Sequence, residues 1–137
     1  MKRLLTYEFG TIKLYENYVL AQINEGVTVT VEASMILRDI AENHYKDRFF
    51  AYISHRKYSY SVNPAVYIEA SKINNLVAFA IVSHIPLALH NTQIESRFSK
   101  KAYMSFEIIS EAKIWATKLV KEQSKIALKK SKVKISV

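Results

Sequence analysis

Two short polar segments hold most of the side chains in this sequence that could bind a ligand. One is the loop 55–62, and the other is Ser83 with His84. Each follows an apolar segment that is predicted to be a parallel strand, and ligands of open α/β domains lie beyond the carboxyl ends of such strands. Arginine and lysine bind phosphate or carboxylate groups, and tyrosine stacks on rings. The alternative is a solvated loop whose tyrosine rings cover the sheet edge. The candidate ligand-binding residues are His55, Arg56, Lys57, Tyr58, Tyr60, Ser83 and His84.

Two serines at the end of the first loop are candidates for phosphorylation. Asn63 and Pro64 predict the start of a helix, with Asn as its cap and Pro in its first turn. A phosphate on Ser61 would lie near the free N–H groups of that helix, where negative charge is favoured. Ser61, and with it Ser59, is therefore a candidate phosphoacceptor. The alternative is that these serines only form and cap turns.

Other kinds of chemistry find little support in the sequence. The chain has no cysteine, which excludes disulfides and thiolate chemistry. His84 and His90 lie six residues apart, which is not the spacing of a helical metal-binding pair. With only two glycines, a Gly-rich phosphate loop cannot form. We therefore expect no catalytic residue, no metal and no cofactor, and we predict that the chain is not an enzyme.

The positive charge is concentrated at the end of the chain. The net charge is +8, and residues 121–137 account for +5 of it, leaving +3 for the rest. Such a segment could contact nucleic acid or an anionic surface, or it could be a solvated extension of the last helix. Nucleic acid is the least favoured partner, because the body of the chain lacks a second basic patch in sequence. The lysines concerned are Lys121, Lys125, Lys129, Lys130, Lys132 and Lys134.

The apolar pattern of the first half predicts a hairpin, a helix and a strand. Residues 7–15 alternate and Tyr18–Ile23 continues as a short strand, which together indicate an antiparallel hairpin. Thr30 is placed to cap a helix that runs to about His44. A compact apolar strand follows at residues 49–54.

In the second half, one strand is apolar throughout. A helix over residues 64–73 leads into Leu76–Val82, and a strand that is apolar on both faces is typical of the centre of a parallel sheet. Pro86 opens a short covering helix that ends near Phe98. The large apolar residues of this segment are Leu87, Leu89, Ile94 and Phe98.

The last strand, Ala102–Phe106, is followed by a helix from Ser110 to about Ser124. The element order β-β-α-β-α-β-α-β-α predicts one α/β domain over residues 1–120, with a mixed sheet of about five strands. Residues 121–137 would form a Lys-rich helical extension or tail. The residues predicted to face inward on the last helix are Ile109, Ala112, Trp115, Ala116, Leu119 and Val120.

This pattern resembles the STAS-like (SpoIIAA-like) superfamily, and in particular its small bacterial STAS/SEC14-like proteins of unknown role. The resemblance covers roughly residues 6–120. It rests on the hairpin 6–22 with the Thr30-capped helix, the helix 64–73 leading into strand 76–83, and the ending Phe106, Ala112 and Trp115. Anti-sigma-factor antagonists of the superfamily carry an Asp-Ser-Ser/Thr-Gly turn that a partner kinase phosphorylates. The equivalent loop here, 55–62, has neither Asp nor Gly.

The resemblance implies a non-catalytic interaction or regulatory module with a protein partner, self-associating through strand edges or the short helix as a homodimer. The alternative is a carrier of a small anionic or apolar molecule at loops 55–62 and 83–90. A weaker alternative is nucleic-acid or anionic-surface binding through the basic tail. We expect a soluble cytoplasmic protein without a signal peptide or transmembrane segment, because the longest apolar run, Leu76–Val82, is too short to span a bilayer.

Overall fold

The computed structural model describes residues 3–57 and 61–135, with the side chains of these residues except 61, 86–90 and 132–135. The strands are β1 (Arg3–Tyr7), β2 (Gly10–Leu14), β3 (Tyr18–Ile23), β4 (Thr28–Val29), β5 (Phe50–His55), β6 (Ser61–Val62), β7 (Leu76–Val82) and β8 (Ala102–Phe106). The helices are α1 (Glu32–Ile40), continued by a π-helix (Ala41–Tyr45), α2 (Ala65–Ala70), α3 (Pro86–Glu95), followed by a 3-10 turn (Ser96–Phe98), and α4 (Ile109–Ile135).

The strands form a mixed sheet in the order β1-β2-β3-β5-β7-β8. β1, β2 and β3 pair antiparallel, and β3, β5, β7 and β8 pair parallel. The short strands β4 and β6 form a separate parallel pair. These findings confirm the predicted α/β fold with a mixed sheet and a buried central strand β7.

The sheet has six strands rather than about five because the chain reverses at Glu8 and Phe9. What the alternation indicated as one strand over residues 7–15 is the end of β1, a turn and β2. Gly10 makes this reversal possible: its φ is +152°, and a Cβ atom there would collide with the carbonyl oxygen of Gln22. Asn24 fixes the turn, since its side chain donates to the Glu8 carbonyl at 3.0 Å.

Helices α1 and α2 and the π-helix cover one face of the sheet. Tyr45 and Phe50 stack there with ring centroids 4.3 Å apart, and both are fully buried. The Tyr45 hydroxyl donates to the carbonyls of Tyr15 and Tyr18, at 2.7 and 3.0 Å. This side chain therefore ties the helical layer to the β2–β3 turn.

The start of α1 differs from the prediction. α1 begins at Glu32 after Val31, without a side-chain cap hydrogen bond, so the prediction that Thr30 caps this helix is wrong. The Thr30 side chain instead hydrogen-bonds Glu32 and lowers the pKa of that carboxyl group.

Helix α4 covers the other face as predicted. Ala112, Ala116 and Val120 are buried against the alanines of β5 and β7. The rings of Phe106 and Trp115 lie 5.6 Å apart at the edge of this cluster. Small residues at four-residue spacing let the helix approach the sheet closely. The helix continues without a break to Ile135, so the Lys-rich segment is the second half of α4.

Candidate ligand-binding cavity

The two candidate loops leave the same edge of the sheet. β5 and β7 are parallel neighbours, with His55 opposite Val82. The Arg56 N–H donates to the Val82 carbonyl at 2.8 Å, and the Ser83 N–H donates to the Phe106 carbonyl at 3.0 Å. The strand-end arrangement inferred from the sequence is therefore present.

The side chains of this edge do not converge on one site, because successive residues of an extended segment point to opposite faces. His55 lies on the face that α4 covers, whereas Arg56 lies on the face covered by α1 and α2. Partial burial, followed by electrostatic interaction with Lys57, His84, Lys113 and Lys13, lowers the pKa of His55. The His55 imidazole is therefore mainly neutral at neutral pH.

Arg56 is at the centre of a buried polar network. It is 4% exposed, and its guanidinium binds both carboxylate oxygens of Glu95, with Nη1–Oε2 at 2.9 Å and Nη2–Oε1 at 2.6 Å. Nη2 also donates to the Tyr67 hydroxyl at 3.1 Å. That hydroxyl donates to Glu95 Oε1 at 2.7 Å. This two-pronged geometry is the strong form of an arginine–carboxylate pair.

Burial raises the pKa of Tyr67 well above its ordinary value, and the lowering effect of the Arg56 charge is smaller. Tyr67 therefore stays protonated, as its donated hydrogen bond to Glu95 requires. The network as a whole is electrically neutral: one cation, one anion and one neutral hydroxyl share the buried space.

Helix α3 contributes to this network through a face that the sequence did not indicate. Thr92 and Glu95 are buried, whereas Ile94 is 46% and Phe98 is 38% exposed. Ile94 and Phe98, two of the apolar residues named from the sequence, therefore do not lie on its buried side. The helix turns its polar side inward because the buried Arg56 charge needs a carboxylate. No local signal marks Glu95, since its partner lies 39 residues away.

A cavity of about 50 Å³ lies beside the network, between the sheet and helices α1 and α2. Five of its lining residues have polar side-chain groups, and the rest of its described lining is aliphatic or aromatic; the five are Ser34, Tyr52, Ser54, Arg56 and Tyr67. A volume of 10–15 Å³ by a comparable measure holds about one water, so the space fits a short alkyl group or a few waters.

The cavity has an apolar mouth. Phe9, Val29 and Ala33 line it and also line a second hollow of about 110 Å³ along the start of α1. All three are partly exposed. The two hollows therefore adjoin each other at Phe9, Val29 and Ala33.

The remaining candidate residues lie elsewhere or outside the described part of the chain. Ser83 is buried, and its Oγ accepts the N–H of Ile85 at 3.1 Å, while His84 is exposed. The candidates Tyr58, Ser59 and Tyr60 lie outside the described residues. A ligand-binding role for His55, Lys57, Ser83 and His84 stays a prediction.

The proposed phosphoacceptor also stays a prediction. The backbone of Ser61 lies in the short strand β6, and its side chain is outside the described set. The start of α2 is capped by Asn63, whose Oδ1 accepts the N–H of Ala65 at 3.0 Å.

Two structural features are absent from residues 3–57 and 61–135. No group of three or more His, Asp or Glu side chains is arranged to hold a metal ion in that part of the chain. Within the same residues, no helix has the length and apolarity needed to cross a membrane.

The backbone is similar to the crystal structure of an uncharacterized protein of the DUF3478 family from Shewanella loihica PV-4, which has a SpoIIAA-like fold. The TM-score is 0.50 at 15% sequence identity, over 77% of this chain and 90% of the other. No protein-family model matches the chain, and no curated protein matches it. At this identity the likeness shows the SpoIIAA-like fold, as the sequence predicted, and function has to be argued from the site.

Proposed function

We propose that this chain is a non-catalytic binding module whose cavity holds one end of a small, uncharged, mainly apolar molecule. The observation that carries the proposal is the cavity between the sheet and helices α1 and α2. Its walls are mainly apolar, and Arg56 and Tyr67 of the buried polar network line it. Small-molecule sites have this composition, with a few polar groups that fix the orientation of the ligand.

The sizes of the two adjoining hollows support an elongated ligand. The inner space of about 50 Å³ admits only a short aliphatic group, and the outer hollow of about 110 Å³ continues past Ala33. An alkyl chain with a terminal hydroxyl fits this shape, because its apolar part follows the walls and its hydroxyl reaches the polar network.

The charge balance of the network supports an uncharged ligand. The Arg56 guanidinium is already paired with Glu95, and their side chains are only 5% and 7% exposed. A ligand carboxylate would bring a second negative charge next to Glu95, and burying an uncompensated charge is costly. This argument favours the apolar form of the carrier alternative over the anionic one.

Titration of isotope-labelled protein with octanol and with octanoate tests the proposal, because the two probes differ mainly in charge. We expect octanol to shift the amide resonances of residues that line the cavity, and octanoate to bind at least about tenfold more weakly at neutral pH, a difference of about 1.4 kcal/mol. Ala33→Phe should abolish the octanol shifts because it fills the mouth.

Met35→Phe is the matched control for Ala33→Phe. Met35 lies on the same helix and is 66% exposed, away from the cavity lining. The control should bind octanol as the parent chain does. Equal octanol binding in both variants, or tighter binding of octanoate, would contradict the proposal.

A second candidate function is association with a protein, including a second copy of this chain. One observation favours it: β8 is the last strand of the sheet, and Met104 within it and Ile108 just after it are 47% and 53% exposed. An outer strand with exposed apolar side chains can pair with a strand of another molecule.

A further inference from the structure

Helix α4 carries a strip of positive charge made by lysines that lie outside its buried contacts. With 27 residues, it is about 40 Å long. Its buried contacts use Ala112, Ala116 and Val120, none of which is charged. From Lys113 to Lys130 the helix has six lysines and a single acidic residue, Glu122. The lysines are therefore not needed for packing.

An open groove of about 570 Å³ runs along this strip. Tyr18, at the start of β3, contributes an aromatic ring to it. Lys113, Lys121 and Lys125 line the groove from the helix. Residues four apart on a helix are about 6 Å apart along its axis, so Lys121 and Lys125 are neighbours, and Lys113 lies about 12 Å before Lys121.

The sheet adds another lysine and leaves room beside the helix. Lys13 of β2 lies opposite Leu20, whose side chain packs in the α4-side cluster, so Lys13 points to the same face. Leu4, opposite Lys13 in β1, is 48% exposed. Helix α4 packs on β3, β5, β7 and β8, and the side chains of Leu4 and Lys13 on the β1–β2 part of this face are exposed and half-buried, respectively.

Two tyrosine rings lie next to these lysines. Tyr15 and Tyr18 stack with centroids 4.8 Å apart, and both are partly exposed. Lys113 Nζ lies 5.6 Å from the centre of the Tyr15 ring. The folded chain thus brings Lys13 and two aromatic rings beside the helical lysines, although these residues are distant in sequence.

We infer that this groove binds single-stranded nucleic acid, with the lysines of α4 and Lys13 contacting phosphates and Tyr18 stacking on a base. A positively charged groove with aromatic rings is the arrangement by which proteins bind single strands without reading their sequence. The charge complementarity is strong, because Glu122 is the only acidic residue that lines the described groove.

Single strands fit this surface better than duplex or lipid. Bases of a duplex are stacked on each other and cannot reach Tyr18, whereas unpaired bases can. A lipid surface is flat, and it would meet the outer lysines of α4 without engaging rings that lie in the angle between helix and sheet. The inferred site is on the opposite face of the sheet from the apolar cavity.

Fluorescence anisotropy with a labelled oligodeoxythymidylate of about 15 nucleotides tests the inference. We expect Lys121→Gln/Lys125→Gln to weaken binding about tenfold or more. Loss of two phosphate contacts should also reduce the slope of log K against log salt by about 1.4. Tyr18→Leu should weaken binding about tenfold, because base–aromatic stacking is lost.

Arg38→Gln/Lys72→Gln is the matched control. It also removes two positive charges, but from the other face of the sheet. It should weaken binding by less than about twofold, as expected for a change in net charge alone. An equal effect of the two double variants would overturn the assignment. So would equal affinity for a duplex of the same length, or binding to phosphatidylserine vesicles but not to the oligonucleotide.

Discussion

At the residue scale, Arg56 and His55 show how one step along the chain separates two functions. They are adjacent, yet Arg56 is buried beside the cavity and His55 lies near the lysines of the α4 face. The separation follows from strand alternation, which continues one residue beyond the end of β5. Grouping residues by loop overlooks that Arg56 and His55 point to opposite faces. The alternation of side chains along a strand, with a period of two residues, could have predicted it.

The Arg56–Glu95 pair yields a prediction about stability. Glu95→Gln should lower the free energy of unfolding by about 3–5 kcal/mol, because it leaves the Arg56 charge buried without a compensating carboxylate. Chemical denaturation in urea measures the change. The side chains of both residues are nearly inaccessible to water, so solvent cannot replace the lost partner.

The double variant Arg56→Met/Glu95→Met is the control for this prediction. It removes both charges together and leaves only the Tyr67 hydroxyl without these partners, so it should lose less stability than Glu95→Gln. If Glu95→Gln cost less than about 1 kcal/mol, the pair would have to be solvated, contrary to its burial.

At the element scale, the best-predicted elements are those whose own pattern records their burial. Helix α4 has small apolar residues at four-residue spacing, Ala112, Ala116 and Val120, and this pattern predicts its buried face. The strand Leu76–Val82 is apolar throughout, which predicts that both of its faces are buried. Helix α3 could not be predicted in this way. Its inward face is set by Arg56, which directly follows the distant strand β5, so its own sequence does not indicate its orientation.

The β1–β2 turn is an element that depends on a single glycine, and it gives a second stability prediction. Gly10→Ala should destabilise the chain by more than about 1 kcal/mol, because the substitution strains φ and puts Cβ against the Gln22 carbonyl. Gly26→Ala is the control: its φ is also positive, at +75°, but nothing lies within 4 Å of the added Cβ. Thermal unfolding should therefore show the larger loss for Gly10→Ala; equal losses would contradict the proposed collision.

At the scale of the whole molecule, the sheet separates two surfaces of different character. One face, under α1 and α2, encloses an apolar cavity beside a neutral ion pair. The other face, beside α4, carries an excess of lysines. The composition revealed the excess of charge, but only the strand order shows that Lys13 and the tyrosines Tyr15 and Tyr18 lie on that same face.

The sheet also has an outer strand, β8, which leads to a prediction about assembly. Exposed Met104 lies in β8, and pairing of β8 with β8 of a second copy would bring the two Met104 side chains close to the interface. Met104→Lys should therefore weaken a dimer, because like charges across paired strands repel. Met35→Lys is the matched control, since Met35 is 66% exposed on α1. Sedimentation equilibrium should show a dimer for the parent chain and for Met35→Lys, and a monomer for Met104→Lys. A parent chain that stays monomeric at every concentration tested would rule out self-association through this edge.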